Sequence, residues 1–328
     1  MKRESKQQIT QPMKRRRGWI AEGGLVVCAA IWGLGFVAMK DALSVYPASW
    51  LLFFRFGGGA LLMGACFFRH IARATRSALK GGFFIGVFLF LGMSIQTWGL
   101  NYTTAGKQAF LTASYVVMVP LLLWGLRRVF PGWAAILGAL VCFAGMGLLT
   151  SGMTGALNRG DVLTVASALF FALQIIAIGH YAGGAGSKED PLILTFVQFA
   201  VAAFLSLCWA FLFEGRLNPQ GTRGLLEIFY VTVFCTFFCF LVQNVAQKVT
   251  PPAHASILLG LESVFGALSG VVLLNEPFSL RMGAGCGLIF GAILLVELAP
   301  LLFPLPAARV FPSQNRCRQL KEKFSKLI

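Results

Sequence analysis

The feature that most constrains this chain is a succession of apolar runs, each about as long as a lipid bilayer is thick. Crossing the hydrocarbon core takes about 20 helical residues. Runs of that length lie at 19–40, 48–68, 81–100, 106–126, 131–150, 161–182, 191–213, 225–247, 252–274 and 282–303. Short connectors join them. In lipid every backbone N–H and C=O must find a partner within the protein, so segments of this length are expected to be helices. Composition agrees. Of 328 residues, 57% are hydrophobic and only 12% charged, against about a quarter charged in a soluble domain. The first run is too long for a signal h-region and reads as an uncleaved span.

The formal net charge of +16 could indicate nucleic acid, but its placement argues otherwise. Lys2, Arg3, Lys6, Lys14, Arg15, Arg16 and Arg17 precede the first run, and Arg309, Arg316, Arg318, Lys321, Lys323 and Lys326 follow the last. If the N-terminus is cytoplasmic, the cytoplasmic segments hold 21 of the 28 Lys and Arg residues and the opposite side 6, with Arg55 inside a span. This asymmetry predicts an inner-membrane protein with both termini in the cytoplasm. The basic tails also suit anionic lipid headgroups as partners, and no nucleic-acid recognition module accompanies the charge.

Seven of the eight cysteines fall inside apolar runs, so no disulfide framework is expected. Cys235 and Cys239 share a helical face, yet no nearby His or acid completes a metal site; they read as small buried hydrophobes. No metal and no cofactor are expected.

Sliding the chain on itself by 146 residues aligns Gly33 with Gly179, Phe53 with Phe199, Thr104 with Thr250, Ala109 with Ala255, Pro131 with Pro277 and Gly145 with Gly291. At that offset all five runs of each half fall into register. A repeat with an odd number of spans must insert upside down relative to its twin, and such repeats hold solute between them at mid-membrane. The expected fold is therefore an all-α integral membrane protein of about ten transmembrane helices. These form two inverted five-helix repeats, 18–151 and 160–303, around a central cavity, flanked by basic tails at 1–17 and 304–328.

Polar groups at membrane depth are costly and need a reason. Glu262 lies near the middle of the ninth run; Arg55 lies in the second, where it could snorkel, pair with Glu262 or anchor an anionic solute group. Thr232, Thr236, Gln243 and Gln247 form a stripe in the eighth run, with Asn244 beside it. Thr164, Ser167 and Gln174 form one in the sixth, and Gln108, Thr112 and Tyr115 one in the fourth. Each stripe alone could be interhelical glue; together they point to a wet cavity. Trp32 and Tyr115 sit too deep for an interfacial belt. The candidate solute site is Trp32, Arg55, Tyr115, Gln174, Gln243 and Glu262. Pro120 and Gly266, opposite each other in the repeat, are candidate hinges. Gly283, Gly287 and Gly291 form a small-residue stripe expected to admit a neighbouring helix.

Several strings resemble EamA-type permeases of the drug/metabolite transporter superfamily. Ile31-Trp32-Gly33-Leu34-Gly35-Phe36 is similar to that family's first-span Trp-Gly-x-x-Phe signature. Pro47 with Arg55-Phe56 resembles its second-span pattern, and Tyr102 to Gly106, Ala109 to Thr112 and Val119-Pro120 its span three-to-four junction. Gly160-Asp161 opens the sixth span as in the family. Gln243-Asn244, Gln247-Lys248, Ala255, Glu262, Glu276-Pro277, Leu288-Ile289 and Glu297 follow in family order. The first half has Val116 and Phe130 where the 146-residue offset sets Glu262 and Glu276, so a mechanism needing symmetric acids is not expected. The resemblance implies a transporter of small organic metabolites, such as amino acids or drug-like compounds, and not an enzyme. A channel-like facilitator is the alternative. An integral-membrane enzyme is the weakest reading, since no catalytic constellation is visible.

Overall fold

A computed structural model of the chain describes residues 2–127, 130, 132–150, 158–183, 189–217, 222, 224–273 and 280–302. The side chains ahead of Gly18 lie outside the described residues, as do Arg128, Pro131, Lys188, Arg223, Glu276, Pro277, the Glu297 side chain and the tail from Phe303. Among the described residues the chain is helical and has no strand. The helices are α1 (Lys2–Leu43), α2 (Ala48–Ile71), α3 (Arg76–Leu100), α4 (Ala105–Thr112), α5 (Tyr115–Arg127), α6 (Trp133–Thr150), α7 (Arg159–Tyr181), α8 (Pro191–Trp209), α9 (Leu225–Tyr230), α10 (Cys239–Ala246), α11 (Pro252–Leu259), α12 (Glu262–Leu273) and α13 (Leu280–Leu302). Two π-helical segments, Ala210–Glu214 and Val231–Phe238, continue α8 and join α9 to α10.

Seven helical stretches in the described residues are long and apolar enough to cross a membrane: Gly18–Leu43, Ala48–Ile71, Arg76–Leu100, Ala105–Leu126, Arg159–Tyr181, Pro191–Glu214 and Leu225–Ala246. Trp133–Leu148 and Gly283–Val296 are shorter apolar helices. This is a multi-pass membrane protein. Its polarity is inverted accordingly: Leu61, Phe204 and Leu212 stand on the outer face at 77%, 64% and 74% exposure, while Arg55, Gln174, Gln243 and Glu262 are buried.

Helix starts are fixed by local chemistry. Thr75 Oγ1 accepts from the Ala78 amide and Thr104 Oγ1 from the Lys107 amide. Asn158 and Asp161 form a reciprocal capping box at α7, and Asp190 caps α8 just before Pro191. Each cap satisfies an otherwise orphaned donor and stabilises by about 1 kcal/mol. α2 begins after Pro47, which has no side chain to cap with. The Glu214 carboxylate does that work from another helix. It accepts from the Ser49 amide at 3.0 Å and the Ser49 hydroxyl at 2.8 Å, with its negative charge at the positive end of α2.

Helix directions follow from close contacts. A Cβ on Gly138 would stand 3.4 Å from the Ala292 carbonyl oxygen, and one on Gly145 would stand 2.9 Å from that of Gly285. α6 and α13 therefore run antiparallel. So do α2 and α8, where Gly59 faces Phe199 and Gly64 faces Phe196. The expected stripe on α13 is displaced: Gly287 and Gly291 meet open space, while Ile289 and Ala292 are fully buried. α13 carries small residues on more than one face, and the clefts at Gly138 and Gly145 select which face turns inward.

A local pattern of backbone hydrogen bonds occurs twice along the chain. The amides of Asn101, Tyr102, Ser114, Val116, Val117 and Met118 bond to the carbonyls of Trp98, Gly99, Leu111, Ala113, Ser114 and Ser114. Those of Lys248, Val249, Leu261, Ser263, Val264 and Phe265 bond to Val245, Ala246, Leu258, Gly260, Leu261 and Leu261. The spacing is 147 residues, the same separation as the Tyr115–Glu262 pair. At this spacing Tyr115 coincides with Glu262, where the 146-residue alignment of side-chain identities such as Thr104 with Thr250 sets Val116. The helices are interrupted close to the candidate hinges. The interruptions fall at Ala113–Ser114 and Gly260–Leu261, whereas Pro120 lies inside α5 and Gly266 inside α12. Gly266 serves close packing: a Cβ on Gly33 of α1 would come within 2.7 Å of its amide nitrogen.

Candidate functional site

The polar residues singled out at membrane depth converge. A cavity of about 690 Å³, adjoining open solvent included, lies among α1, α2, α3, α4–α5, α7, α9–α10 and α11–α12. Trp32, Arg55, Tyr115, Gln174, Gln243 and Glu262 all line it. Phe36, Met39, Met93, Phe171 and Phe240 add an apolar and aromatic wall.

Glu262 is the first residue of α12, immediately after the interruption, and Tyr115 is the first of α5. The interruptions turn both side chains inward, and the Tyr115 hydroxyl donates to Glu262 Oε1 at 3.0 Å. Arg55 projects from α2 and donates through Nε to Thr236 Oγ1 at 2.6 Å. It is 5% exposed, so it does not snorkel. Nor does it pair with Glu262: the described residues hold two ion pairs, His70–Asp190 and Lys107–Asp161. One cation and one acid therefore face a common space without neutralising each other. Gln243 Nε2 approaches Gln174 Oε1 at 3.5 Å, a long contact that leaves Gln174 Nε2 and Gln243 Oε1 without partners.

Trp32 is held by a register change. In the π segment the Cys239 amide reaches back to Phe234; α geometry then resumes, and the Cys235 carbonyl is passed over. The Trp32 indole N–H takes that carbonyl at 2.7 Å. Tyr230 reinforces the contact by donating to the Ile31 carbonyl at 2.9 Å. Cys28, Cys235 and Cys239 are buried free thiols.

Sequence reasoning missed Gln96 as a lining residue. Its amide donates to Thr112 Oγ1 at 2.8 Å, and its carbonyl accepts from Gln108 Nε2 at 2.7 Å. A comparison at 147 rather than 146 would have found it, since Gln96 then coincides with Gln243. Thr164 and Ser167 are not lining residues. They donate to the Gly160 and Thr164 carbonyls within their own helix, and only Thr164 also bridges helices, accepting from Gln108 Nε2 at 3.4 Å.

The cavity reaches Leu100, the last residue of α3, and Gln108 in the first turn of α4. Beside that end, Lys107 pairs with Asp161 at 2.6 Å, Thr103 donates to Asp161 at 2.9 Å, and Lys40 donates to the Leu100 and Thr103 carbonyls. At the other end of the bundle His70 meets Asp190 at 3.1 Å and Thr75 donates to Glu189 at 2.8 Å. Among the described residues no group of three or more His, Cys, Asp or Glu side chains is placed to hold a metal ion. The arrangement can enclose an amphipathic solute, with charged and amide groups on one side and aromatic surface on the other.

Comparison with known proteins agrees with this architecture. The profile of the EamA-like transporter family matches twice, over residues 19–151 and 158–298. An uncharacterized transporter of Archaeoglobus fulgidus is 33% identical over 279 residues, spanning 85% of this chain and 86% of its own. A WAT1-related chloroplastic protein of Arabidopsis thaliana is 25% identical over 282 residues, covering 81% of this chain and 66% of its own. A crystal structure 18% identical in sequence superposes with a TM-score of 0.68, over 90% of this chain and all of the other, and shows the same fold. With two family matches across most of its length and an interior cavity walled by its helices, this chain belongs to the EamA-like transporter family.

Proposed function

We propose that the protein carries small organic metabolites, such as amino acids or drug-like compounds, across the cell inner membrane by alternating access. In this reading ten spans form two inverted halves, 18–151 and 160–303, with both termini cytoplasmic, and α11–α12 supplies the crossing interrupted at Gly260–Leu261. The double family match, the antiparallel α2–α8 and α6–α13 pairs and the 147-residue recurrence of backbone hydrogen bonds support it.

The observation that carries the reading is the cavity, where Arg55 and Glu262 stand buried and unpaired with each other beside Trp32, Tyr115, Gln174 and Gln243. Uncompensated charge at membrane depth is costly, which fits groups kept for a solute or a coupling ion. With the N-terminus inside, the end bearing Leu100 and Gln108 faces outward, and export is the proposed direction. The interruptions at Ala113–Ser114 and Gly260–Leu261, with Pro120 and Gly266 just beyond them, are the proposed flexible elements. The outer helix faces contact lipid.

The test is flux through proteoliposomes loaded with metabolites whose cellular levels change when the protein is deleted or overproduced. Saturable flux with trans-stimulation is expected. Non-saturable flux without trans-stimulation would assign a channel-like facilitator, and a chemically altered product an enzyme.

A further inference from the structure

We infer that Gln243, Asn244, Gln247 and Thr250 line a second mouth of the solute path, closed in this structure, at the end of the bundle opposite Leu100 and Gln108. This rests on the alternating-access reading and adds to it the place where the path must open.

The first observation is a seam of unmatched polar atoms. Gln174 Nε2, Gln243 Oε1, Asn244 Oδ1, Gln247 Oε1 and Thr250 Oγ1 are buried without hydrogen-bond partners, and these are five of the ten such side-chain atoms among the described residues. The residues are at most 3% exposed. They follow one another from the cavity floor to the turn beyond α10. Other buried hydroxyls find partners, as Thr195 and Ser206 do on carbonyls of their own helix. An unmatched buried acceptor is unfavourable unless another conformation satisfies it.

The second observation is where the seam lies. At the 147-residue spacing of the backbone pattern, Gln243, Asn244, Gln247 and Thr250 are the counterparts of Gln96, Thr97, Leu100 and Thr103. Gln96, Thr97 and Leu100 line the cavity toward the start of α4. Two inverted halves exchange roles when one rocks against the other, so the counterparts of residues that line the path toward one face line it toward the other in the alternate state.

The third is how the seam is shut. A Cβ on Gly183 would stand 2.7 Å from the Gln247 carbonyl oxygen, and one on Gly179 would stand 2.3 Å from Pro252 Cγ. α7 closes against the α10–α11 corner only because both positions lack a side chain.

The experiment uses the full-length chain in oriented vesicles. Asn244→Cys and, separately, Thr97→Cys are labelled with a membrane-impermeant cationic methanethiosulfonate from each face, and modification of the introduced site is read by mass spectrometry. Adding Gly179→Val should raise Asn244→Cys labelling from the cytoplasmic face about tenfold and lower Thr97→Cys labelling from the opposite face by a similar factor, as a population shift requires. Gly183→Ala should act in the same direction and carries the test if Gly179→Val does not fold. Gly287→Val, which meets open space, is the control. Labelling of Asn244→Cys that stays slow with either wedge overturns the inference and makes the seam a static helix contact. The readout needs no solute: an inert seam in a protein with saturable flux overturns this inference alone, whereas a switching seam without flux supports it and overturns the permease reading.

Discussion

The Tyr115 hydroxyl donates to Glu262 Oε1 across 3.0 Å, and each residue is the first of a helix that restarts after an interruption. The bond joins the restarting ends of α5 and α12 at the cavity, so it reports on both helices at once. A charged acid at the bilayer centre costs about 2.5–3.5 kcal/mol even on lenient insertion scales. Glu262→Gln keeps the shape and a hydrogen-bonding amide, so fold and expression should persist. If Glu262 couples solute to protons, the pH dependence of flux should vanish; an unchanged pH–flux curve in well-expressed protein would end that role. Tyr115→Phe should cost about 1–3 kcal/mol, seen in thermal unfolding, and change the shape of the pH–flux curve without abolishing transport.

Arg55 gives the opposite trade. Its guanidinium is buried with a hydroxyl partner at Thr236 and no carboxylate in an ion pair. Removing a buried charge that no carboxylate pairs with relieves desolvation. Arg55→Gln should therefore unfold at an equal or higher temperature than the parent while flux falls at least about tenfold, a loss of about 1.4 kcal/mol in transition-state terms. Arg55→Lys should not restore flux, because an ammonium lacks the planar fork. A large fall in melting temperature for Arg55→Gln would make the residue structural.

Glu214 should matter for stability. Its carboxylate receives the Ser49 amide and hydroxyl at the start of α2. Glu214→Ala should lower stability by about 1–2 kcal/mol, with Glu214→Gln recovering part of it. Thermal unfolding in detergent would measure both, and equal loss in the two variants would exclude the charge as the cause.

Two glycine substitutions separate the faces of the α6–α13 pair. Gly138→Leu would drive a Cβ to 2.4 Å from Val296 Cγ2 and should cost about 1–3 kcal/mol as overpacking. Gly287→Leu faces open space and should be neutral within about 0.5 kcal/mol. Comparable losses would place the contact on the other face of α13.

Topology is tested independently. A reporter fused to the C-terminus should be active only in its cytoplasmic form, as the split of basic residues, 21 against 6, predicts. A periplasmic signal would exclude an even number of spans with the N-terminus inside.

Depth and polarity were the readable parts. Glu262, Arg55, Gln174 and Gln243 stood out because each is expensive in lipid, and the structure gathers all four around one cavity. What stayed hidden depends on backbone register. The interruptions at Ala113–Ser114 and Gly260–Leu261 lack a proline, whereas Pro120, the conspicuous breaker, sits within a continuous helix. Glu214 resembles any acid at the edge of a span; only the uncapped start of α2 after Pro47 hints that a donor pair needs it. The glycines of α13 could not be assigned to a face because the partner's clefts, not its own composition, decide the rotation.

The π turn between Val231 and Phe238 has a consequence for how this protein can change over generations. The carbonyl that receives Trp32 is free only because the chain carries an extra residue in that turn. Deleting any one residue there would let an ordinary α-helix form, close off the acceptor and rotate everything after it by about 100°. Gln243 would swing off the cavity while every remaining letter of the helix stayed the same. This stretch should accept many point substitutions and almost no one-residue deletion, so its length is inherited more strictly than its spelling.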